Sequence, residues 1–181
     1  VRSRREVGAP LRAAAPVVAI AFSPDGSMLA TATGRALDLP TPVPTDQTVQ
    51  LWDVATRRPV PVSLSGHTAS VNAVAFSPDG QLLATGGNDD LVVLHDPRTG
   101  ATVGTPMRVA GHEYALAFSP DSSRLAVGTA APDAFVFDVR TALQVGPTLA
   151  TGAFSAVAFS PDGSRLVTSS PIANTTIVWD A

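Results

Sequence analysis

The chain has 181 residues, of which 45% are hydrophobic, enough for a packed core and too many for a disordered chain. Its formal net charge is −3, and its twelve basic residues are scattered arginines, which argues against a nucleic-acid-binding stripe. It contains no cysteine, which excludes disulfides and thiolate metal sites.

The first 22 residues combine early arginines with an apolar run, as a secretory signal does. Glu6 and Arg12 interrupt that run, and its apolar part continues into the first predicted strand. No stretch reaches the roughly 20 apolar residues that a membrane helix needs. We therefore expect a cytoplasmic protein that does not bind a membrane.

The first predicted strand, 19–22, ends with the first two residues of the hexapeptide "AFSPDG" (21–26). Small and large residues alternate in this strand, which predicts that both of its faces are buried. The Ser-Pro-Asp-Gly run at 23–26 suits a tight turn, because proline presets φ and glycine accepts a left-handed conformation. Residues 29–31 and 49–52 are predicted as the second and third strands.

An insertion of about eleven residues, "RALDLPTPVPT" at 35–45, separates the second strand from the third. Its three prolines favour an extended, stiff segment. Because the fold does not require it, two interpretations have equal weight: a loop that contacts a partner, or a tolerated surface insert. The candidate partner-contact residues are Arg35, Leu37, Asp38, Leu39 and Pro40.

The same elements recur along the chain with a period of about 42 residues. The phenylalanines of the hexapeptide are Phe22, Phe76, Phe118 and Phe159, and the aspartates that end the third strands are Asp53, Asp96, Asp138 and Asp180. In the second unit, "DPRTG" (96–100) predicts a turn into a fourth strand at 101–107. A four-stranded unit cannot bury both faces alone, but radial stacking of such units does so, which predicts an all-β propeller.

The segment "GHTASVNAVAFSPDGQLLATGGNDDLVVLHD" (66–96) resembles a WD repeat nearly end to end. On these motifs the chain resembles the WD-repeat β-propeller family, in the style of bacterial WD repeats. The resemblance implies one propeller segment, 1–181, of four blades or an arc of a larger propeller, each blade a four-stranded antiparallel sheet. The implied repeat units are 1–53, 54–96, 97–138 and 139–180.

The resemblance also implies a buried network in each blade that joins a Gly-His histidine, a Ser or Thr, an aspartate and the tryptophan of Trp-Asp. The second unit supplies His67, Thr85 and Asp89, with His95 in place of the tryptophan. The first unit supplies Asp46 and Trp52.

The fourth unit supplies Trp179 but lacks the Gly-His pair. In the third unit His112 lies too close to its phenylalanine for the family spacing, Ala131 takes the aspartate position and Phe137 replaces the tryptophan. Because no unit has the whole set and a half-satisfied buried network costs stability, we expect core packing to hold the blades together.

By resemblance, the expected function is a non-catalytic protein–protein interaction scaffold, a sensor or docking module with no cofactor, metal or nucleic acid. Other polar residues fit structural roles. The three histidines lack metal-ligand spacing, Asp89 and Asp90 fit a turn and the blade network, and the hexapeptide serines fit turns rather than nucleophiles: these are Ser23, Ser77, Ser119 and Ser160.

Two alternatives stay open. One is a propeller hydrolase or lactonase with a site in the central channel. The other is a fragment of a larger bacterial NTPase- or kinase-linked WD-repeat protein with no separate activity.

The two ends of the chain align with different parts of one repeat. Residues 1–8 align with 54–61, so the chain starts with a fourth strand and stops after a third. Four units of this shape leave two open faces, which invite association. Three arrangements stay open: a fragment of a longer propeller, half of a two-chain ring, or an unusually small closed ring. For an isolated chain we expect a dimer whose N-terminal strand contributes to a blade edge.

Overall fold

The structure of the chain is a computed structural model that describes residues 8–33, 49–153 and 156–181, with the backbone alone for Glu113 and Tyr114. These residues contain fifteen β-strands and no α-helix, so none of the described segments is a helix long and apolar enough to cross a membrane. The strands in chain order are β1 (Val17–Phe22), β2 (Met28–Thr33), β3 (Val49–Asp53), β4 (Arg58–Pro59), β5 (Val71–Phe76), β6 (Leu83–Gly87), β7 (Leu91–His95), β8 (Met107–Arg108), β9 (Glu113–Phe118), β10 (Arg124–Thr129), β11 (Asp133–Asp138), β12 (Leu149–Ala150), β13 (Ala156–Phe159), β14 (Arg165–Ser170) and β15 (Thr175–Asp180).

The strands form four antiparallel sheets in which spatial order follows chain order. Blade 1 contains β1 to β4, blade 2 contains β5 to β8, blade 3 contains β9 to β12, and blade 4 contains β13 to β15. Four-stranded meanders of this kind are the blades of a β-propeller, so the all-β class predicted from the repeat is confirmed. Blade 4 has three strands among the described residues.

Each blade has two faces of different character, fixed by its cross-strand register. In blade 2, Phe76 pairs with Leu83, and both lie on what we call the phenylalanine face. Ala75 pairs with Ala84 and Ala84 with Leu94, and these lie on the opposite, alanine face. Small residues on one face and large residues on the other let neighbouring blades interdigitate.

The blades stack with the alanine face of one against the phenylalanine face of the next. One buried cluster joins Ala30 and Leu51 of blade 1 with Val74 and Leu83 of blade 2. A second joins the alanine face of blade 2 with Phe118 and neighbouring residues of blade 3. The inner strands accordingly contact one another in the order β1, β5, β9, β13.

The repeated hexapeptide closes the hairpin between the first two strands of each blade. Ser23 Oγ donates to Asp25 Oδ1 at 2.6 Å and accepts from the N–H of Met28 at 2.9 Å, while Gly26 has φ +71°. The same two bonds recur at Ser77, Ser119 and Ser160. Hydrogen bonds from Ser23 and Ser27 lower the pKa of Asp25 to about 2. The hydroxyls therefore serve the turn, which is what the motif predicts.

One of these turns carries a strained residue. Ser122 stands where the other three turns have glycine, and its φ of +63° is the left-handed conformation that glycine adopts without steric cost. Ser122 Oγ also accepts a bond from the N–H of Asp79 at 3.2 Å, which joins the turns of blades 2 and 3.

We expect Ser122→Gly to raise the free energy of unfolding by a few tenths to ~1 kcal/mol, because relief of the strained φ outweighs one exposed hydrogen bond. Urea unfolding at neutral pH measures the change. Ser122→Ala is the matched control: it keeps the strain, loses the bond and should lower stability slightly. Equal loss in both variants would show that the hydroxyl outweighs the backbone conformation.

Two predictions about the strands are wrong. The fourth strand of blade 2 does not span 101–107: Thr102 makes an isolated bridge with His95, and β8 begins at Met107. Gly104 at φ +70° and Pro106, which has no N–H, interrupt the ladder between them.

Strand β1 is not buried on both faces. Phe22 is 59% exposed, because blade 1 has no described blade on that side.

Candidate functional site

Blade 2 contains a continuous chain of hydrogen bonds beneath the turn between β6 and β7. Nδ1 of His67 lies 2.9 Å from Oδ1 of Asp89, and its Nε2 lies 2.8 Å from Oγ1 of Thr85. Oγ1 of Thr85 lies 3.1 Å from Nε2 of His95. One set of tautomers satisfies all three contacts: His95 donates to Thr85, Thr85 donates to His67, and His67 donates to Asp89.

His95 takes the place that tryptophan holds in two other blades. Trp52 Nε1 donates to Thr31 Oγ1 at 2.9 Å in blade 1, and Trp179 Nε1 donates to Thr168 Oγ1 at 2.9 Å in blade 4. The sequence alone marks His95 as a departure from the family, but in this tautomer its ring N–H makes the equivalent bond to Thr85. The residue type could have revealed this bond from the sequence, because histidine, like tryptophan, carries a ring N–H donor.

The surroundings of the network set the charge of its two ends. Burial raises the pKa of Asp89, but hydrogen bonds from His67 and the N–H of Thr68, together with the charge of His67, outweigh it and lower the pKa. Burial and then the charge of His67 lower the pKa of His95 to about 4, so His95 is neutral at pH 7.

Nδ1 of His95 is a buried atom with no hydrogen-bond partner among the described residues. An unpaired buried acceptor of this kind costs free energy.

Blade 3 replaces the network with apolar contacts. Val127 stands at the position of Thr85, and Phe137 at that of His95, and both are buried. Changing both partners to apolar groups leaves no buried polar atom unpaired. His112 is excluded from this interior: its side chain is 53% exposed and lies 3.9 Å from Asp90 of blade 2.

Some predicted site residues lie outside the described part of the chain. Asp46 and the candidate contact residues of the insertion fall within 34–48, which the structure does not describe: Arg35, Leu37, Asp38, Leu39 and Pro40. The flanking residues Thr33 and Val49 end β2 and begin β3. The insertion therefore connects the same two strand positions in blade 1 that the β6–β7 turn connects in blade 2.

The order Thr85, His67, Asp89 has the geometry of a hydroxyl–imidazole–carboxylate triad. Its chemistry is nevertheless internal to the blade. Thr85 is fully buried, its hydroxyl is shared between two histidines, and the side chains of His67 and Asp89 are only 4% and 6% exposed. A nucleophile must reach a substrate carbonyl, and this hydroxyl cannot.

Beside the network lies a polar surface, which we call the connection surface: Thr68, Asp90 and His112, which are exposed, and Asn88, which is half-buried. The N–H of Thr68 donates to Asp89 Oδ2 at 2.6 Å, and the side chain of Asn72 donates to Asn88. The buried carboxylate of Asp89 thus holds the backbone of the exposed Thr68. Within the described ranges, no three His, Cys, Asp or Glu side chains are grouped so as to hold a metal ion.

Comparison with known proteins adds the family. The sequence profile described as "WD domain, G-beta repeat" matches residues 9–53, 59–96 and 143–180, more than half of the chain. The chain belongs to the WD-repeat family. The profile does not match 97–142, which contains β9 to β11 of blade 3 and the two residues that replace the network, Val127 and Phe137.

Similar WD-repeat proteins come from eukaryotes. Protein Mut11 of Chlamydomonas reinhardtii is 60% identical over 43 residues, 24% of this chain and 12% of its own length. A guanine nucleotide-binding protein subunit beta of Oryza sativa subsp. indica is 42% identical over 55 residues, 30% of this chain and 14% of its own. Nuclear distribution protein PAC1 of Coccidioides posadasii is 34% identical over 100 residues, 55% of this chain and 20% of its own. The chain thus spans a fifth or less of each relative.

Proposed function

We propose that this chain is a non-catalytic scaffold that binds a protein partner through the connection surface and the insertion at 35–45. Members of the WD-repeat family bind protein partners and are typically non-catalytic. The geometry of blade 2 supports the proposed place of the binding surface, and membership of the family supports the proposed class of function.

The observation that carries the proposal is the contrast in exposure between the two layers of blade 2. The side chains of His67 and Asp89 are almost fully buried, whereas those of Asp90 and His112 are 56% and 53% exposed. The buried layer holds the turn, and the exposed layer offers the carboxylate of Asp90 and the imidazole of His112. Such preorganised polar groups lower the entropy cost of binding.

The names of two relatives support the class. One is a guanine nucleotide-binding protein subunit beta, and another, 45% identical over 51 residues, is the small ribosomal subunit protein RACK1y of Oryza sativa subsp. japonica. Both names describe components of larger assemblies. For this chain we propose assembly with a protein partner, with no particular partner implied.

The finer features of the proposal rest on the sequence. We propose a bacterial source, for which the lysine-free composition with twelve arginines is the support, and a cytoplasmic location. A sensor or docking role behind an NTPase or kinase domain rests on the family resemblance. Fold alone does not fix such a role.

The test compares proteins captured by the immobilised chain and by three variants. Replacing 35–45 by two glycines removes the insertion, Asp90→Arg reverses a charge of the connection surface, and Leu143→Asp changes an exposed residue of blade 3 as a control. We expect the first two variants to capture at least about tenfold less partner. The first lacks part of the proposed binding surface, and in the second the reversed charge is repulsive at the interface. Thermal unfolding should stay unchanged for the insertion variant and for the control, and should fall slightly for Asp90→Arg because Asp90 has φ +60°.

Retention of the same partner by the first two variants would contradict the proposed location. Capture of no protein by the unchanged chain would contradict the scaffold itself.

A further inference from the structure

The hydroxyl of Thr85 has two acceptors within reach, which gives the network of blade 2 two possible hydrogen-bonded states. Oγ1 of Thr85 lies 2.8 Å from Nε2 of His67 and 3.3 Å from the carbonyl oxygen of Val93. Because a hydroxyl carries one proton and rotates, it donates to one of these acceptors at a time. Nε2 of His95 lies 3.1 Å from the same oxygen.

Blade 1 shows the second position of this hydroxyl. Thr31 is the counterpart of Thr85, and its oxygen accepts from Nε1 of Trp52. The three histidines of the chain all lie beyond blade 1. Oγ1 of Thr31 donates to the carbonyl oxygen of Gln50 at 3.3 Å, the same distance that separates Thr85 from Val93. The backbone carbonyl is therefore an acceptor that the blade already provides.

The two states differ in the number of protons on His67. When His67 is neutral, its Nε2 accepts from Thr85, and one lone pair of the hydroxyl oxygen is unused. When Nε2 carries a proton, it donates to Thr85, the hydroxyl turns to Val93, and its oxygen accepts from both imidazoles. Each of these donors then has an acceptor, and the new charge lies beside the carboxylate of Asp89, whose Oδ1 is 2.9 Å from Nδ1 of His67.

His95 is the other histidine that could take this proton, and its surroundings oppose it. The residue is 1% exposed, and its Nδ1 has no hydrogen-bond partner in the described part of the chain. A proton on Nδ1 would be a buried charge without a carboxylate beside it. Burial, followed by the charge of His67, accordingly lowers the pKa of His95 to about 4.

Few charged groups surround the network. On the described elements around it they are Asp89 and Asp90 of the β6–β7 turn, His95 of β7, Arg108 of β8 and His112 before β9. Asp90, Arg108 and His112 are exposed, and the buried residues of blade 1 that pack against blade 2 are apolar. Within these residues, Asp89 is the carboxylate that contacts His67.

We propose that blade 2 is a proton-binding switch, in which His67 takes up one proton in the folded chain and the hydroxyl of Thr85 turns from His67 to the carbonyl oxygen of Val93. The switch reaches the connection surface, because Oδ2 of Asp89 accepts from the N–H of Thr68 at 2.6 Å while Oδ1 contacts His67. Partner binding through this surface would then depend on pH. That consequence rests on the proposed function, whereas the switch itself does not.

The first measurement is the protonation of each histidine ring, read from the ring nitrogen chemical shifts of the ¹⁵N-labelled chain from about pH 8 to pH 5. We expect both ring nitrogens of His67 to carry a proton at the acidic end, while His95 keeps a bare Nδ1. The amide of Thr68 should shift along the same curve as His67. Circular dichroism at each pH shows whether the chain stays folded, and His112→Ala identifies the signals of the exposed ring.

Two results would overturn the proposal at this stage. One is a His67 ring whose Nε2 stays bare for as long as the chain is folded. The other is a first proton that binds to His95.

Three variants separate the switch from a network that is only structural. His95→Trp keeps the N–H donor to Thr85, so His67 should take up its proton as before, and loss of the titration would assign the proton to His95. Thr85→Ser keeps the hydroxyl and should titrate at the same pH as the unchanged chain. Thr85→Val removes the acceptor for the new N–H, so proton uptake should move to a pH lower by about one unit or more.

Blade 3 has valine at the equivalent position, Val127, so the fold accepts this side chain. An unchanged titration in Thr85→Val would show that the hydroxyl takes no part, which contradicts the two-state network. Should that variant fail to fold, the unchanged chain and His95→Trp still decide the proposal.

None of these measurements uses a partner. Failure of the switch is therefore distinguishable from failure of the scaffold proposal, which the capture experiment tests separately.

Discussion

Replacing His67 by alanine should lower the free energy of unfolding by about 2 to 4 kcal/mol, the largest effect expected for a single polar residue of this chain. The imidazole is both the donor to Asp89 and the acceptor from Thr85. Its loss leaves a buried carboxylate oxygen and a buried hydroxyl without their main partners and opens a cavity between them. Urea unfolding of both proteins at pH 7, at one fixed protein concentration, measures the difference.

His112→Ala is the matched control. His112 also follows a glycine, but its side chain is exposed and its nearest carboxylate, on Asp90, is 3.9 Å away. Its loss should change stability by no more than about 0.5 kcal/mol. Equal effects at His67 and His112 would contradict the structural role assigned to the network.

A double-variant cycle tests whether the network acts as a unit. Thr85→Val removes the hydroxyl between the two histidines and should itself cost about 1 to 3 kcal/mol. Combined with His67→Ala, the total loss should be smaller than the sum by about 1 kcal/mol or more, because the two residues share one hydrogen bond. Simple addition of the two losses would indicate independent side chains.

The repeat made the fold predictable because its signals are local and agree with one another. Ser23, Pro24, Asp25 and Gly26 define a turn whose bonds lie within six residues, and the alternation at 19–22 defines two faces. Such features need no knowledge of distant contacts. They predict four sheets, and the structure has four.

The burial of each strand could not be predicted from the sequence, because it depends on which blade lies beside that strand. The alternation in β1 is the same as in β5, yet Ile20 is 64% exposed and Val74 is 9% exposed, because burial depends on a neighbouring blade. The role of His95 was likewise hidden, since a pattern that seeks tryptophan does not detect another N–H donor at the same place. For the irregular fourth strand of blade 2, Gly104 and Pro106 were visible signals that outweighed the repeat.

His95 makes the stability of the chain depend on pH. Burial and the charge of His67 lower its pKa from 6.5 to about 4 in the folded state. Between these values the unfolded chain binds a proton that the folded chain does not, so folding stability rises with pH. The contribution is fully present above pH 6.5 and is lost as the pH falls toward 4.

We therefore expect the unfolding free energy to fall by about 2 kcal/mol from pH 7 to pH 5 through this residue alone. His95→Trp should remove this part of the slope, because an indole does not titrate, while its N–H still donates to Thr85 as Trp52 donates to Thr31. The variant also removes the unpaired Nδ1 of His95, so it should be at least as stable as the unchanged chain at pH 7. Urea unfolding at pH 7, 6 and 5 gives both slopes. An identical slope in the variant would mean that another residue titrates between pH 7 and pH 5. That residue would not be Asp89, because its lowered pKa affects stability only at more acidic pH.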